Sequence, residues 1–444
     1  MNNAASDRRF LLLQGPHGPF FSRLGMALRT TGAQTWRVSF NAGDAFFWSD
    51  KATLLPFEKT QKEWPEIFAQ ICKDKGITDL VLYGDTRHIH AIALDHARKI
   101  GIRTHIFEEG YLRPYWITYE RSGTNGRSRL VHLSLAEMKQ TLKQSDVDLR
   151  EIPSHWGDMR QHVFYGALYH WFVMFANRHY PSFKPHRKLT VAEEFRLYLR
   201  RFLLMPFQTV ERWSATRRIK RGGFPYHLAL LQLEHDTNFQ IHSPLSSMSE
   251  FVEFTIGGFA KGAPPHHHLV FKAHPLENGS IPLRSLIKTR AKDAGVLDRV
   301  HYVRGGKLAH LLDDAHSAIT INSTAGQQVL WRGLPLKALG TSVYSKPEFV
   351  SRQPISDFFA NPTQPNHKDY IAYRTFLLET SQVPGSYYSA KGRNTLLRHI
   401  VDILLAPKDP YDALTAPNAA TSQQLRLVTS EPQDTGLVIM PRFK

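Results

Sequence analysis

Arg103-Thr104-His105-Ile106-Phe107 runs directly into Glu108-Glu109-Gly110 and then Tyr111-Leu112-Arg113-Pro114. The first five residues read as a buried strand, so two adjacent carboxylates stand where a strand gives way to a glycine. In an open α/β sheet the loops at the carboxyl ends of strands collect the chemistry. A carboxylate there can serve as nucleophile or general base. Arg113, a few residues on, is a candidate anion clamp. Adjacent glutamates before a glycine are also common on exposed turns, so the pair gains its meaning from the strand before it.

Upstream, the same strand-then-polar-loop pattern repeats. Phe10–Leu13 reads as a strand followed by Gly15-Pro16-His17-Gly18-Pro19, and Phe20–Leu28 as a helix. Thr35–Phe40 leads into Asn41-Ala42-Gly43-Asp44. Asp79–Tyr83 leads into Gly84-Asp85-Thr86-Arg87, with helices expected over Glu63–Lys75 and His88–Ile100. Strands alternating with helices argue for a parallel sheet covered on both faces. Ile117–Glu120 and Thr124–Ser128 read as polar loops lining the same cleft. His17, Asn41, Asp44, Asp85, Glu120 and Asn125 are thus candidates for cleft or acceptor contacts.

Downstream the α/β pattern resumes. His227–Gln232, His268–Phe271, Arg299–Val303, Ser317–Ile321 and Leu334–Leu339 read as strands, with helices at Ser249–Ala260, Leu308–Ala315 and Gln327–Arg332. Lys272-Ala273-His274-Pro275 follows one strand, and His274 there could donate to a phosphate beside the Lys272 charge. Asn322-Ser323-Thr324-Ala325-Gly326 follows another and opens a helix. Small hydroxyl residues at a helix start suit an anion, because free N–H groups and the helix dipole converge there; plain helix capping uses the same residues.

Between the two halves the composition changes. Residues 160–221 hold 13 Lys/Arg against 3 Asp/Glu, and 13 aromatic residues, so they carry +10 of the net charge of +17. Interleaved aromatic and basic residues suit a membrane surface, and a helical bridge between domains accounts for them as well. Nucleic acid is disfavoured, because the charge is confined to this segment and no recognition motif accompanies it. With Cys72 as the single cysteine, an intrachain disulfide and a cysteine zinc site are excluded. His266-His267-His268 lacks metal-ligand spacing, so no metal is expected. No run approaches the ~18 apolar residues that span a bilayer, and no leader is evident at the N-terminus. The expected location is cytoplasmic, at most on a membrane face.

Taken together, Phe107–Pro114, His274-Pro275 and Ser323-Thr324 resemble the acidic-acidic-Gly, His-Pro and Ser-Thr motifs of CMP-sugar-dependent glycosyltransferases of GT-B fold. Among these, the capsule polysaccharide export and biosynthesis proteins of KpsS type are most similar; Asn41–Asp44, residues 115–120, Asn125-Gly126 and Ile321–Thr324 look like that group too, over about residues 10–400. The resemblance implies an α/β, GT-B-like chain: two Rossmann-type domains facing across a cleft. Its expected parts are an N-terminal acceptor and catalytic domain (1–150), a basic-aromatic helical segment (151–222), a C-terminal CMP-sugar domain (223–406) and a loosely ordered tail (407–444).

The implied activity is a retaining β-Kdo transferase. It would add Kdo, an acidic eight-carbon sugar, from CMP-β-Kdo to a lysophosphatidylglycerol anchor at the inner membrane, starting the poly-Kdo linker of a capsule. On that reading Glu109, or Glu108, is the catalytic carboxylate. Lys272, His274, Pro275, Asn322, Ser323 and Thr324 bind the donor, and Arg113 pairs with the Kdo carboxylate. No cofactor is implied. The partners implied are the donor, the lipid acceptor, the inner-membrane surface, a Kdo-extending transferase and the export machinery. Alternatives are a Kdo-linker extender, another CMP-sugar transferase, or a non-catalytic capsule assembly or anionic-polymer-binding protein.

Overall fold

The computed structural model describes residues 5–113, 115–142, 152–153, 159–183, 191–234, 236–275, 277, 281–415 and 437–438. Its strands, in chain order, are β1 (Arg9–Leu12), β2 (Gln34–Ser39), β3 (Leu54–Pro56), β4 (Asp79–Tyr83), β5 (Arg103–Glu109) and β6 (Trp116–Glu120). There follow β7 (Ile152–Pro153), β8 (Tyr226–Leu230), β9 (His268–Lys272), β10 (Val300–Val303), β11 (Ser317–Thr320), β12 (Leu336–Ala338), β13 (Gln382–Pro384) and β14 (Leu437–Val438). The chain forms two compact units: Met1–Arg129 with Ala136–His186 and Arg374–Lys444, and Leu130–Leu135 with Arg187–Tyr373.

The first unit carries a seven-stranded sheet in the order β13-β6-β5-β4-β1-β2-β3. Its five strands β1 to β5 are parallel and stand in the Rossmann order 3-2-1-4-5. Side chains alternate between its faces. Phe10, Leu12, Val81 and Phe107 share one core with the helices Phe20–Thr30 and Ala390–Leu405. Leu11, Leu13, Leu80, Leu82 and Ile106 share another with Trp64–Lys75 and His88–Lys99. The second unit holds five parallel strands in the order β10-β9-β8-β11-β12, which is again 3-2-1-4-5. The expected α/β class with two Rossmann-type domains is therefore what the chain forms.

Four expectations are corrected. Residues 116–120 are not a loop: β6 pairs antiparallel with β5 and with β13. Its Ile117, Thr118, Tyr119 and Glu120 are buried, so the backbone needs ladder partners there. The 151–222 segment is not one module. The helix Met159–Phe175 belongs to the first unit, where it packs on the helix Ala42–Phe46, and Val191–Arg221 belongs to the second, where it meets β10. The C-terminal domain does not extend to 406, since the chain returns to the first unit at Arg374, where Leu396, Ile400 and Leu404 complete its core. The tail also begins in ordered structure: Tyr411 and Leu414 of the helix Pro410–Thr415 are buried. The rest of the expected tail, apart from residues 437–438, lies outside the described residues.

The amino end of the first sheet is fastened by charge. Asp79, fully buried at the start of β4, accepts from Arg8 Nε at 2.7 Å, Thr78 Oγ1 at 2.6 Å and Arg103 Nε at 3.2 Å, and pairs with His105 Nε2 at 2.8 Å. Burial alone would raise its pKa, but the hydrogen bonds from His105 and Arg8 prevail and hold it well below the usual range. Arg8 also donates to the carbonyls of Leu404 and Leu405, at 3.0 and 3.2 Å, which ties the returning helix to β1 and β4. Asp79→Ala strands a buried guanidinium, and we expect a loss of about 3–5 kcal/mol, read as a lower urea midpoint. An unchanged midpoint would show that the network contributes nothing net.

Candidate functional site

β5 runs two residues further than its sequence suggests. Glu108 opposes Thr118 and Glu109 opposes Ile117 on β6, so both carboxylates sit on strand backbone rather than on a turn. Gly110 then lets the two strands meet: a Cβ at this position would lie 2.0 Å from the Trp116 carbonyl oxygen. Gly84, after β4, takes a left-handed φ of 73°, and a Cβ there would come within 3.4 Å of Glu108 Oε2.

Around the carboxylates stand three tyrosines. Tyr83 and Tyr388 both donate their hydroxyls to Glu109 Oε1, at 3.3 and 3.4 Å. Among the described residues no donor reaches Oε2. Tyr387 donates to the Glu108 carbonyl at 2.9 Å, and Glu108 Oε1 accepts from the Glu109 amide at 3.0 Å. Burial, and then the charges of Glu109 and Glu108, raise the pKa of all three phenols well above its ordinary value, so they remain donors. His162, from the helix Met159–Phe175, meets the Tyr388 ring edge-to-face at 4.0 Å. Burial lowers its pKa against the pull of Glu109, and Arg113 lowers it further. Arg113 is exposed and donates to the Gly110 carbonyl at 3.3 Å.

The other loops at this edge of the sheet are knitted together. Asp44 Oδ2 accepts from Gln14 Nε2 at 3.0 Å and from the Phe40 amide at 3.2 Å; Oδ1 accepts from Arg37 at 3.2 Å and Tyr169 at 3.4 Å. Asn41 caps the short helix Ala42–Phe46 and donates to Tyr169 at 2.7 Å, while His17 stacks on Tyr169 at 4.3 Å. Gln14 in turn accepts from Arg87, whose guanidinium lies over the Tyr83 ring at 5.7 Å. The loops after β1, β2, β4 and β5 are thus joined by one polar chain leading to Glu109. Asp44 and Asn41 sit inside it as anchors rather than open cleft residues, because protein donors take their acceptor positions.

Glu120 and Asn125 depart from expectation. Glu120 is buried in a knot, accepting from Ser128 at 2.6 Å, Tyr111 at 2.8 Å and Tyr411 at 3.0 Å. Burial pushes its pKa up to about 8 in spite of those bonds, and the side chain lines no cleft. Asn125, at a φ of 54°, gives its amide to the same Tyr111 hydroxyl at 2.6 Å. Asp85, just after β4, is buried; Oδ2 accepts from the Thr124 amide at 3.1 Å while Oδ1 has no partner among the described residues.

In the second unit the donor candidates collect at the same edge of its sheet. Asn322 follows β11 and is locked to Gln232, which follows β8, by paired bonds of 2.9 and 3.0 Å. These two strands flank the point where the strand order reverses, the crevice that binds ligands in open α/β sheets. Ser323 Oγ accepts from the Ala325 amide at 3.2 Å, which leaves its hydroxyl proton to donate. Ser323 and Thr324 form the turn that leads into the helix Gly326–Trp331, whose N-cap residue Ala325 has no side-chain cap of its own. Lys272 is the last residue of β9; burial and then Arg212 lower its pKa to about 8. His274 is half-buried and Pro275 exposed in the turn that follows.

The structure brings Glu108, Glu109 and Arg113 together in one unit, and Lys272, His274, Asn322, Ser323 and Thr324 along one sheet edge in the other. Sequence reasoning missed Tyr83, His162, Tyr387, Tyr388, Gln14, Arg87 and Gln232. Gln14, Arg87 and Gln232 could have been found as polar residues just past strands; nothing in the sequence marks the others. Among the described residues no group of three or more His, Cys, Asp or Glu could hold an ion. His267 bonds His227 at 3.0 Å, and His268 bonds His301 at 2.8 Å.

The profile of the family described as "Capsule polysaccharide biosynthesis protein" matches residues 78–388. The chain belongs to that family. The matched stretch opens just before β4 and ends on Tyr388, so this capsule protein holds Glu109 and its tyrosine donors wholly within the family region. It is 29% identical to the capsule polysaccharide export protein KpsS of Escherichia coli, over 86% of this chain and 97% of the relative. It is 30% identical to the capsule polysaccharide modification protein LipB of Neisseria meningitidis serogroup B, over 87% and 93%. Among solved structures it is similar to the β-Kdo 2,7 transferase of Thermosulfurimonas dismutans KpsC, at 14% identity and TM-score 0.39, over 82% of this chain and 89% of that one. Among the described residues of this capsule protein, no helix is long and apolar enough to cross a membrane.

Proposed function

We propose that this capsule polysaccharide biosynthesis protein is a GT-B-type transferase that moves Kdo from CMP-β-Kdo to a lysophosphatidylglycerol anchor, with retention. One observation carries the reading. Each motif of the resemblance stands at the carboxyl edge of a Rossmann-ordered sheet, where ligands bind: Glu108-Glu109 after β4 and on β5, and Asn322-Ser323-Thr324 beside Gln232 at the second reversal point. His274, Ser323 and Thr324 donate to the phosphate of CMP and take up the negative charge that develops as it leaves. Glu109 attacks the anomeric carbon through Oε2 while the two tyrosines hold Oε1. The bond from that carbon to the phosphate oxygen breaks, CMP departs, and a glycosyl ester on Glu109 remains. The acceptor hydroxyl then displaces the carboxylate and loses its proton. Two displacements restore the configuration. Arg113 pairs with the sugar's carboxylate, and the protein works at the cytoplasmic face of the inner membrane.

The test is incubation with CMP-Kdo, generated in situ, and fluorescent lysophosphatidylglycerol, followed by mass spectrometry. One Kdo on the lipid supports the reading. Extension only of a Kdo-bearing acceptor makes the protein an extender, and neither product with CMP still bound overturns the substrate assignment. A further result is expected from Lys272. With its pKa near 8, the ammonium loses its proton as pH rises from 7 to 9. CMP affinity should therefore fall about tenfold over that range by titration calorimetry, and Lys272→Met should bind weakly and evenly across it. A flat wild-type profile would remove Lys272 from the donor site.

A further inference from the structure

The helix Met159–Phe175 has two faces with different duties. His162, Tyr165 and Tyr169, spaced along one face, reach the site edge of the first unit. His162 meets Tyr388, Tyr165 lies over Gly18 and the Arg393 guanidinium, and Tyr169 holds Asn41 and His17. On the opposite face, Val163, Ala167, Trp171 and Phe175 recur at every fourth residue and all are exposed. Phe164, Trp171 and Phe175 are 60%, 50% and 65% exposed, and exposed Phe46 joins them by stacking on Phe172 at 3.9 Å.

A helix apolar on all sides is ordinarily buried all round, so something covers this outer stripe. Charge indicates what. From Met159 to Phe183 the sequence has no Asp or Glu, but it has Arg160 and Arg178. Arg178 and His179 are exposed in the turn Asn177–His179 at the end of the stripe. Exposed aromatics bounded by cations and free of carboxylates fit the headgroup layer of an anionic bilayer.

We propose that the Met159–Phe175 helix seats the first unit on an anionic lipid surface through Phe46, Val163, Phe164, Trp171 and Phe175. A helix is about 10–12 Å across with its side chains. Its inner face carries His162 against the tyrosine that holds Glu109, so the carboxylate lies roughly one helix diameter above the lipid. An acceptor hydroxyl on a headgroup reaches that distance without the lipid leaving the bilayer. This last step rests on the proposed function; the lipid seat does not.

The experiment compares full-length wild type with a Phe164→Ser/Trp171→Ser/Phe175→Ser variant. Sedimentation is measured with phosphatidylglycerol/phosphatidylethanolamine vesicles and with phosphatidylcholine vesicles. Wild type is expected to sediment with the anionic vesicles and not the neutral ones, and the variant to bind at least tenfold more weakly. The variant's transfer to a short-chain, water-soluble acceptor is expected to stay within twofold of wild type, which shows that the site is intact. Equal vesicle binding by the two proteins overturns the proposal. So does a wild type that ignores vesicles but forms a dimer the variant cannot, since a second copy then covers the stripe. If no acceptor is ever glycosylated while the vesicle difference persists, the lipid seat stands and the transferase reading falls.

Discussion

Glu109→Gln loses sugar transfer by about 10³-fold or more, with CMP binding and thermal midpoint unchanged. Glutamine keeps the size of the side chain, and its carbonyl oxygen can still accept from Tyr83 and Tyr388, so packing is preserved. What disappears is the negative oxygen that, in the proposed mechanism, forms the glycosyl ester. Glu108→Gln should cost far less, because Glu108 Oε1 accepts from the Glu109 amide and acts on its neighbour's backbone. Tyr388→Phe should fall between the two, at roughly tenfold, by releasing Glu109 from one of its donors. Initial rates with CMP-Kdo, and a search for the ester on a trapped intermediate by mass spectrometry, check all three. If Glu109→Gln retains full activity, the carboxylate assignment is wrong; if Glu108→Gln is instead the inactive variant, the roles exchange.

The second large effect is acid lability. His90, His105 and His227 are buried, and burial lowers their pKa to about 3, about 4 and about 3. His105 stays low even though Asp79 pulls the other way, so their contact is a neutral ring donating to a carboxylate. The unfolded chain protonates these rings near 6.5 and the folded chain only near 3–4. Between those values the unfolded state binds more protons. Stability is therefore full above about pH 6.5 and drains away as the pH falls, until the folded rings also titrate. Three protons give a slope of up to about 4 kcal/mol per pH unit. Glu120 has the reverse sign: its folded pKa near 8 makes its contribution full at low pH and lost as the pH rises through 8. Urea midpoints should therefore peak at about pH 6.5, decline gently toward about pH 8 as the Glu120 contribution drains, and fall steeply toward pH 5. A flat profile between 7 and 5 would mean that these rings find partners or water on protonation.

Where the sequence could be read, it was read through local pattern. Asp79–Tyr83 is predicted to the residue because an unbroken apolar run lies between turn residues. Residues 116–120 are misread because Trp-Ile-Thr-Tyr-Glu is a strand only by virtue of partners on either side, one of them at Gln382–Pro384. The domain limit at 406 fails for the same reason: the Ala390–Leu405 helix shows its apolar stripe but not which sheet it covers. At the candidate site, Glu109 stands out in the sequence because two carboxylates follow an apolar run and precede a glycine. Tyr83, Tyr387, Tyr388 and His162 are not, since a lone aromatic announces no role until folding aims its hydroxyl or ring at the carboxylate. Glu120 misleads in the opposite direction: its sequence looks polar and open, while three hydroxyls bury it.

The return of the chain at Arg374 also has a consequence for biosynthesis. A ribosome delivers β1 to β6 early and must translate the whole second unit before β13 and the Ala390–Leu405 helix emerge. Until then β6 presents an unpaired edge, Arg8 lacks its carbonyl acceptors, and the two tyrosines that hold Glu108 and Glu109 have not been made. Unpaired strand edges in a nascent chain invite misassociation. The nascent first unit should thus be a client for chaperones throughout translation of its neighbour. A chain cut short between Arg187 and Arg374 is a folding casualty, and the tyrosine partners of Glu108 and Glu109 arrive only after the whole second unit has been made.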